Sequence, residues 1–209
     1  MRIGMIGLGR MGASMTLRLV HGGHEVVGYE VKRDAVERTA QQGGIAADSI
    51  EDVVGKLEPP RAVWVMVPAG EITAKTIDTL ATLMDRGDAI VDGGNSRYTD
   101  TMTHASALEK KGLALVDAGT SGGIWGLREG YCLMVGSDEQ TFARLEPIFK
   151  TLAPEGGYAH VGPPGAGHFT KMVHNGVEYG LMQAYGEGFE LLKSSSFDLD
   201  LAQIAELWR

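Results

Sequence analysis

The chain has 209 residues, of which 44% are hydrophobic, and it carries a formal net charge of -8 at pH 7. This length fits one full domain and part of another. The negative charge argues against binding of nucleic acid. The sequence has no apolar run of membrane-spanning length, which argues against a membrane protein.

The single cysteine and the N-terminal segment indicate the cellular compartment. Cys132 has no second cysteine to pair with, and its place in the apolar run YCLMV predicts a buried, inert thiol. The N-terminal sequence MRIGMIGLG has the pattern of a strand that leads into a glycine turn, and not that of a signal peptide. We therefore predict a cytoplasmic protein.

Short apolar runs alternate with longer amphipathic runs along most of the chain. The apolar runs predict strands at Arg2–Ile6, Glu25–Tyr29, Ala62–Val67, Ala89–Asp92, Leu113–Asp117, Tyr131–Val135 and Tyr158–Val161. A helix is predicted over Glu139–Leu152. Strands that alternate with helices are typical of a parallel sheet. We predict an α/β fold with a Rossmann-type, doubly wound, mainly parallel sheet, in which some of the later strands are antiparallel.

Prolines and glycine at positions 163–165 interrupt this pattern, and a helix is predicted from His168 to about Lys193. We therefore predict a cofactor-binding domain over residues 1–162. Residues 163–209 are predicted to form a long interdomain helix and the start of an all-helical C-terminal domain, with a further amphipathic helix at Leu201–Arg209.

Glycines and apolar residues in the long helix predict contacts with other backbones. Glycine destabilises a helix interior, so Gly176, Gly180, Gly186 and Gly188 predict close packing of this helix against another backbone. The apolar residues of Leu181–Leu192 predict an exposed face and self-association of the chain.

The motif GLGRMG follows the first predicted strand directly and opens a helical stretch. In a dinucleotide-binding turn the first glycine (Gly7) permits a tight turn, the second (Gly9) lets the pyrophosphate approach, and the third (Gly12) packs the helix on the strand. The alternative is a strand-to-helix turn that binds no ligand. The position of the motif favours the dinucleotide site.

The residues at the end of the second strand predict which dinucleotide binds. Glu30 lies about 20 residues downstream of the glycine turn, where a carboxylate accepts hydrogen bonds from the ribose hydroxyls. Such a carboxylate also repels a 2′-phosphate, so we predict NAD as the cofactor. NADP is the alternative, since Lys32 or Arg33 can bind a 2′-phosphate.

Two further predicted strands end in polar, glycine-rich turns, DGGNSRY and DAGTSGG. Ligands of open α/β sheets bind beyond the carboxyl ends of the strands. Asn95 is placed to hydrogen-bond a substrate or the nicotinamide. Ser121, Gly122 and Gly123 offer a hydroxyl and main-chain amides to a carboxylate. Ordinary turns without a ligand are the alternative.

In the predicted long helix, Lys171 is followed after three, four and seven residues by His174, Asn175 and Glu178. At about 100° per residue they lie on one face, with Tyr179 at its edge. A lysine and a carboxylate at this spacing are suited to move a proton to and from one substrate. The alternative is the polar face of a surface helix.

The segments GLGRMG, DGGNS, TSGG and GHFTKMVHNGVEYG together resemble the 6-phosphogluconate dehydrogenase family of decarboxylating β-hydroxyacid dehydrogenases, and the resemblance covers essentially the whole chain. It implies Lys171 as the general base and Glu178 as the general acid. Contacts with 6-phosphogluconate are implied for Asn95, Ser121, Gly122, Gly123, His174, Asn175 and Tyr179. Contacts with the cofactor are implied for Gly7, Leu8, Gly9, Arg10, Met11, Gly12, Val67, Pro68, Ala69 and Asn95.

The resemblance implies oxidative decarboxylation of 6-phosphogluconate to ribulose 5-phosphate and CO2, a step of the pentose phosphate pathway and of gluconate utilization. No metal is implied. Glu30 and the segment IWGLREGYCLMVG resemble the shorter, NAD-preferring branch. The alternatives are a β-hydroxyacid dehydrogenase for a small unphosphorylated acid, and a nucleotide-binding fragment without turnover.

The family continues into a helical domain that supplies phosphate ligands and much of the dimer interface. We therefore expect this chain to be a fragment or an incomplete gene product, and the full-length protein to be a homo-oligomer, either a dimer or a tetramer.

Overall fold

The computed structural model describes residues 1–209, except for the side chain of Ile124. One sheet contains the strands β1 (Arg2–Ile6), β2 (Glu25–Tyr29), β3 (Ile45–Ala46), β4 (Ala62–Val65), β5 (Ala89–Asp92), β6 (Ala114–Ser121), β7 (Cys132–Gly136) and β8 (Tyr158–Gly162). Their order across the sheet is β3-β2-β1-β4-β5-β6-β7-β8. The first six strands are parallel, and β7 and β8 run in the opposite direction because β7 pairs antiparallel with β6. The predicted Rossmann-type sheet is confirmed.

The helices are α1 (Arg10–His21), α2 (Arg33–Gln41), α3 (Ile50–Gly55), α4 (Glu71–Leu83), α5 (Tyr98–Glu109), α6 (Gly126–Glu129), α7 (Glu139–Leu152), α8 (Ala166–Ser194) and α9 (Leu201–Leu207), with a 3₁₀ turn at Gly123–Trp125. At three helix starts in the described part of the chain, the side chain of the N-cap residue itself accepts hydrogen bonds from main-chain amides: Ser49 at α3, Asp138 at α7 and Asp200 at α9. Within the described part of the chain, no helix has both the length and the apolar character needed to cross a bilayer.

The core lies in two layers, one on each face of the sheet, because successive strand residues point to opposite faces. In β4, Trp64 belongs to the layer covered by α1, α2 and α7, and Val63 and Val65 belong to the layer covered by α3, α4 and α5. All three side chains are fully buried. The near-continuous apolar runs of the sequence are therefore those of a doubly covered parallel sheet.

The structure corrects the prediction of a buried thiol. Cys132 is exposed. It is the first residue of β7, in which Leu133 and Val135 are buried against the core. Because neighbouring strand residues point to opposite faces of the sheet, the side chain of Cys132 points away from the face that buries Leu133. Membership of an apolar run is therefore not enough to predict burial of the thiol.

Two compact units divide the chain, Met1–Lys171 and Met172–Arg209, and the division falls within helix α8. Every described residue of the second unit is exposed or half-buried. Within this unit the rings of Phe189 and Trp208 meet edge to face, with centroids 5.5 Å apart.

The four glycines of the long helix, which were predicted to pack against another backbone, meet no such backbone within the described part of this chain. A Cβ atom added at Gly176, Gly180, Gly186 or Gly188 would meet nothing within 4 Å among the described atoms. The predicted exposure of apolar residues in this stretch is confirmed, since Leu181, Met182, Tyr185 and Leu191 are all more than half exposed.

Candidate functional site

A cavity of about 790 Å³ lies at the carboxyl ends of β1, β2 and β4. This is the edge of the sheet at which open α/β folds bind ligands. Of the predicted cofactor residues, those that line the cavity are Gly7, Leu8, Gly9, Arg10, Glu30, Val67 and Pro68. The lining does not include Met11, Gly12, Ala69 or Asn95. Met11 packs against the core instead.

The three glycines of GLGRMG have the geometry that the predicted turn requires. Gly7 has a φ of +96°, a conformation that strongly favours glycine. A Cβ at Gly12 would overlap the carbonyl oxygen of Gly7, so the third glycine allows α1 to approach the turn. A Cβ at Gly9 would meet nothing within 4 Å, so its backbone faces open space. This arrangement leaves room for a pyrophosphate at the start of α1.

Main-chain amides hold the carboxylate of Glu30 in place. One oxygen accepts a hydrogen bond from the amide of Leu8 at 3.1 Å, and the other accepts one from the amide of Val31 at 2.9 Å. The carboxylate is therefore fixed between the end of β2 and the glycine turn. This position fits recognition of ribose hydroxyls and places a negative charge where a 2′-phosphate would bind.

The structure places the nearby cations differently from the sequence prediction. Lys32 lines the cavity. Arg33 does not, because it is hydrogen-bonded to Asp48. Arg38, which the sequence did not single out, lines the cavity from α2 and donates a hydrogen bond to Asp34 at 2.6 Å. This hydrogen bond lowers the pKa of Asp34. Lys32 and Arg38 are thus the cations at the Glu30 end of the cavity.

Leu127 is a second lining residue that sequence patterns missed. It belongs to the short helix α6, which follows the TSGG turn. Arg18 of α1 donates a hydrogen bond to the carbonyl oxygen of Leu127 at 3.3 Å. No periodic pattern marks so short a helix, and the contact joins residues that are 109 positions apart.

The two polar turns follow neighbouring strands, since Asp92 of β5 pairs with Asp117 of β6. The amide of Gly94 donates a hydrogen bond to Asp92 at 3.0 Å, and the side chain of Asn95 is exposed. Ser121 is the last residue of β6. Gly122 and Gly123, which follow it, have φ values of +136° and +47°. The structure therefore brings the two predicted turns to the same edge of the sheet.

Lys171 is 9% exposed and lies near the start of α8. A Cβ atom added at Gly119 of β6 would lie 2.7 Å from the Cβ of Lys171 and 2.6 Å from the carbonyl oxygen of Gly167. Only glycine at position 119 leaves room for this first part of the helix. The Cβ of Lys171 is thus set directly against β6, close to the TSGG turn.

The other predicted helix residues, His174, Asn175, Glu178 and Tyr179, belong to the second unit and also lie on α8, as predicted. The Nδ1 atom of His174 is 3.5 Å from Oδ1 of Asn175 and 3.7 Å from Oε2 of Glu178. Tyr179 is 67% exposed. Histidine, asparagine and glutamate therefore form a contiguous polar set along this helix.

Among the described residues, no three His, Cys, Asp or Glu side chains lie together in a position to hold a metal ion.

Comparisons with known proteins agree with this geometry. Residues 2–162 match the family described as NAD binding domain of 6-phosphogluconate dehydrogenase. Residues 167–209 match the family described as 6-phosphogluconate dehydrogenase, C-terminal domain.

Two relatives are named NAD(+)-dependent, decarboxylating 6-phosphogluconate dehydrogenase. The one from Haloferax volcanii is 45% identical over 210 residues, which cover 100% of this chain and 69% of the relative. The one from Bacillus subtilis is 38% identical over 216 residues, which cover 99% of this chain and 46% of the relative.

Two solved structures have the same fold. The 6-phosphogluconate dehydrogenase of Plasmodium falciparum, described in complex with its cofactor NADP+ and with its substrate 6-phosphogluconate, has a TM-score of 0.86 and 28% identity, over 92% of this chain and 44% of that one. The 3-hydroxyisobutyrate dehydrogenase of Mycobacterium tuberculosis has a TM-score of 0.84 and 30% identity, over 93% of this chain and 67% of that one.

Proposed function

We propose that this chain, which belongs to the 6-phosphogluconate dehydrogenase family, catalyses the oxidative decarboxylation of 6-phosphogluconate to ribulose 5-phosphate and CO2 with reduction of NAD. The observation that carries the proposal is that one chain combines three features. These are a cavity at the glycine turn with a fixed carboxylate, a buried lysine beside the TSGG turn, and the polar set of α8.

In the proposed mechanism Lys171 acts twice. As a neutral amine it accepts the proton of the C3 hydroxyl, and as an ammonium it later donates a hydrogen bond to the same oxygen. The glycine turn and Glu30 would hold NAD, which would supply the acceptor for the hydride of C3. The resulting 3-keto acid loses its C1 carboxylate as CO2, because the ketone accepts the electron pair of the breaking bond and an enediol forms. Lys171 lies against Gly119 of β6, close to the TSGG turn that carries proposed ligands of the substrate.

Glu178 completes the proposed reaction as the general acid. It lies on α8 seven residues after Lys171 and delivers a proton to C2 of the enediol, the carbon that becomes C1 of ribulose 5-phosphate. His174, which is 3.7 Å from Glu178, is proposed to bind the substrate together with Asn175 and Tyr179. From the sheet edge, the proposed substrate ligands are Asn95, Ser121, Gly122 and Gly123.

The proposed preference for NAD rests on Glu30. Its two oxygens are held by the amides of Leu8 and Val31, so the negative charge cannot turn away from a 2′-phosphate without breaking these bonds. Lys32 and Arg38 are the cations that would favour NADP, and a hydrogen bond to Asp34 already engages Arg38. These interactions favour NAD as the proposed cofactor.

Initial rates with two substrates and two cofactors test the proposal. Purified chain is mixed with 6-phosphogluconate or with 3-hydroxyisobutyrate, each with NAD and with NADP, and the absorbance of the reduced nicotinamide is followed. We expect the highest kcat/KM with 6-phosphogluconate and NAD. A higher kcat/KM with 3-hydroxyisobutyrate would contradict the substrate, and a higher value with NADP would contradict the cofactor.

A further inference from the structure

A buried carboxylate outside the predicted site holds the start of α8. Asp117 lies in β6 and is fully buried. One of its oxygens accepts a hydrogen bond from the amide of Gly165 at 2.7 Å, and the other accepts one from the amide of His168, also at 2.7 Å. The first amides of a helix have no partner within the helix. Asp117 therefore caps α8 from another element, and its charge is favourable at this end of the helix dipole.

Close backbone packing fixes the position of this cap. A Cβ at Gly167 of α8 would lie 2.5 Å from the carbonyl oxygen of Asp117. A Cβ at Gly136 of β7 would overlap the carboxylate of Asp117 and would lie 2.9 Å from the amide nitrogen of Gly167. The first turn of α8 thus lies directly on the backbones of β6 and β7 and has no space to move closer to the sheet.

His168 connects the same turn to α5. Its Nδ1 atom is 2.8 Å from the hydroxyl oxygen of Thr101, and it is 3.9 Å from the carboxylate of Asp117. The His168 side chain is 3% exposed. Asp117 and Thr101 therefore hold the helix turn that immediately precedes Lys171.

From these contacts we infer that Asp117 is a positioning residue, which sets the place of Lys171 on β6 by holding the amides of Gly165 and His168. The inference rests on the proposed role of Lys171 as the base. Lys171 follows His168 by three residues, just under one helical turn. Its Cβ packs over Gly119, two residues after Asp117 on the same strand. A shift of the helix start would therefore move Lys171 relative to Ser121 at the end of β6.

Burial of Asp117 also makes its contribution to folding stability depend on pH. Burial raises the pKa of Asp117, although hydrogen bonds from the amides of His168 and Gly165 oppose this rise. A carboxyl group whose pKa is raised by folding stabilises the fold at pH values below its unfolded pKa, and this contribution is lost as the pH rises through the folded pKa. Above its folded pKa the carboxyl group no longer makes this contribution, and what it retains there is its two hydrogen bonds from the amides of Gly165 and His168.

A comparison of two buried carboxylates tests the inference. Asp117→Asn keeps the shape of the side chain but turns one acceptor into a donor that faces an amide. Asp88→Asn is the matched control, because Asp88 is equally buried and accepts hydrogen bonds from the amides of Arg61 and Asp85, far along the chain from α8. We expect Asp117→Asn to lower kcat about tenfold or more, with an unchanged dissociation constant for NAD. Asp88→Asn should lower the melting temperature and leave kcat unchanged.

A readout without turnover separates this inference from the proposed function. Lys171 and the exposed Lys193 are acylated with acetic anhydride, and peptide mass spectrometry gives the ratio of their rates. We expect the ratio of Lys171 to Lys193 to rise about tenfold in Asp117→Asn and to stay constant in Asp88→Asn. If the unmodified chain shows no turnover, the proposed function fails while this ratio still tests the inference.

A second variant tests the same geometry without a change of charge. Gly119→Ala puts a methyl group against Lys171 and Gly167, so it should raise the acylation ratio as well. Gly55→Ala, where an added Cβ meets nothing within 4 Å, is its control and should leave the ratio unchanged. An unchanged ratio in both Asp117→Asn and Gly119→Ala would overturn the inference, as would an equal rise in Asp88→Asn.

Discussion

The two units of the chain differ in the burial of their large apolar side chains. In Met1–Lys171 large side chains such as Trp64 and Phe149 are fully buried on the two faces of the sheet. In Met172–Arg209 comparable side chains such as Leu191 and Phe197 are each 74% exposed. Both units follow the helix and strand pattern of their sequences. Periodicity therefore specifies an element, whereas burial depends on what packs against that element.

The proposed base and the proposed acid belong to different units, and a substitution of each residue tests its role. Lys171→Ala in the first unit should lower kcat by about 10²–10⁴-fold, because it removes the proposed base. Glu178→Gln in the second unit should lower kcat in the same direction, since it removes the proposed acid. Both variants should bind NAD as tightly as the unmodified chain in calorimetric titrations.

Matched controls on the same helix are Lys193→Ala and Glu190→Gln, which change exposed charges away from the proposed site. Both should keep normal turnover. If Glu178→Gln also turns over normally, then the second unit does not supply the general acid.

Truncation of one leucine in each unit sharpens the contrast in packing. Leu19 of α1 is fully buried, so Leu19→Ala should lower the free energy of unfolding by about 2–5 kcal/mol. Leu191 of α8 is 74% exposed, so Leu191→Ala should change it by no more than about 0.5 kcal/mol. Denaturant unfolding measures both. A large loss in Leu191→Ala would show that this face is covered in solution.

Glycine-to-alanine substitutions should change the folding stability in opposite directions in the two units. Gly12→Ala places a methyl group on the carbonyl oxygen of Gly7, and it should reduce stability by about 1–3 kcal/mol and weaken NAD binding. Gly180→Ala meets open space within a helix, and it should increase stability by about 0.5–1 kcal/mol. Thermal unfolding checks the signs. A loss of stability in Gly180→Ala would indicate a close backbone contact at this position.

The smallest expected effect is on the pH dependence of folding stability, through a histidine of the first unit. Burial and the nearby N-terminal ammonium lower the pKa of His24, whose Nε2 is 2.8 Å from the hydroxyl oxygen of Thr151. A histidine with a lowered folded pKa contributes stability above its unfolded pKa of about 6.5, and this contribution is lost as the pH falls through the folded pKa. His24→Gln should therefore lose less melting temperature on acidification than the unmodified chain. Equal losses in the two proteins would contradict this assignment.

Much of the fold follows from the sequence because the strands are apolar and separated by clear helical patterns. The bounds of β1, β2, β5 and α7 agree with the prediction to the residue. The two-residue strand β3 is too short to produce a pattern. β6 extends to Ser121, beyond its predicted end, because antiparallel pairing with β7 continues as far as Cys132.

The site was harder to predict where it depends on contacts between distant segments. The glycine turn and Glu30 are local features, and the cavity is built around them. The capping of α8 by Asp117 joins residues that are 48 and 51 positions apart, and DAGTSGG gives no sign of it. Arg38 replaces Arg33 at the cavity because Arg33 pairs with Asp48, a partner that only the folded chain brings close.

The most direct test of the proposed function is the stoichiometry of the products. The chain is incubated with 6-phosphogluconate and NAD, and the CO2 released and the NADH formed are measured in the same sample. The proposed mechanism predicts one CO2 for each NADH. NADH without CO2 would contradict decarboxylation, and the absence of NADH would contradict the proposed activity of this chain.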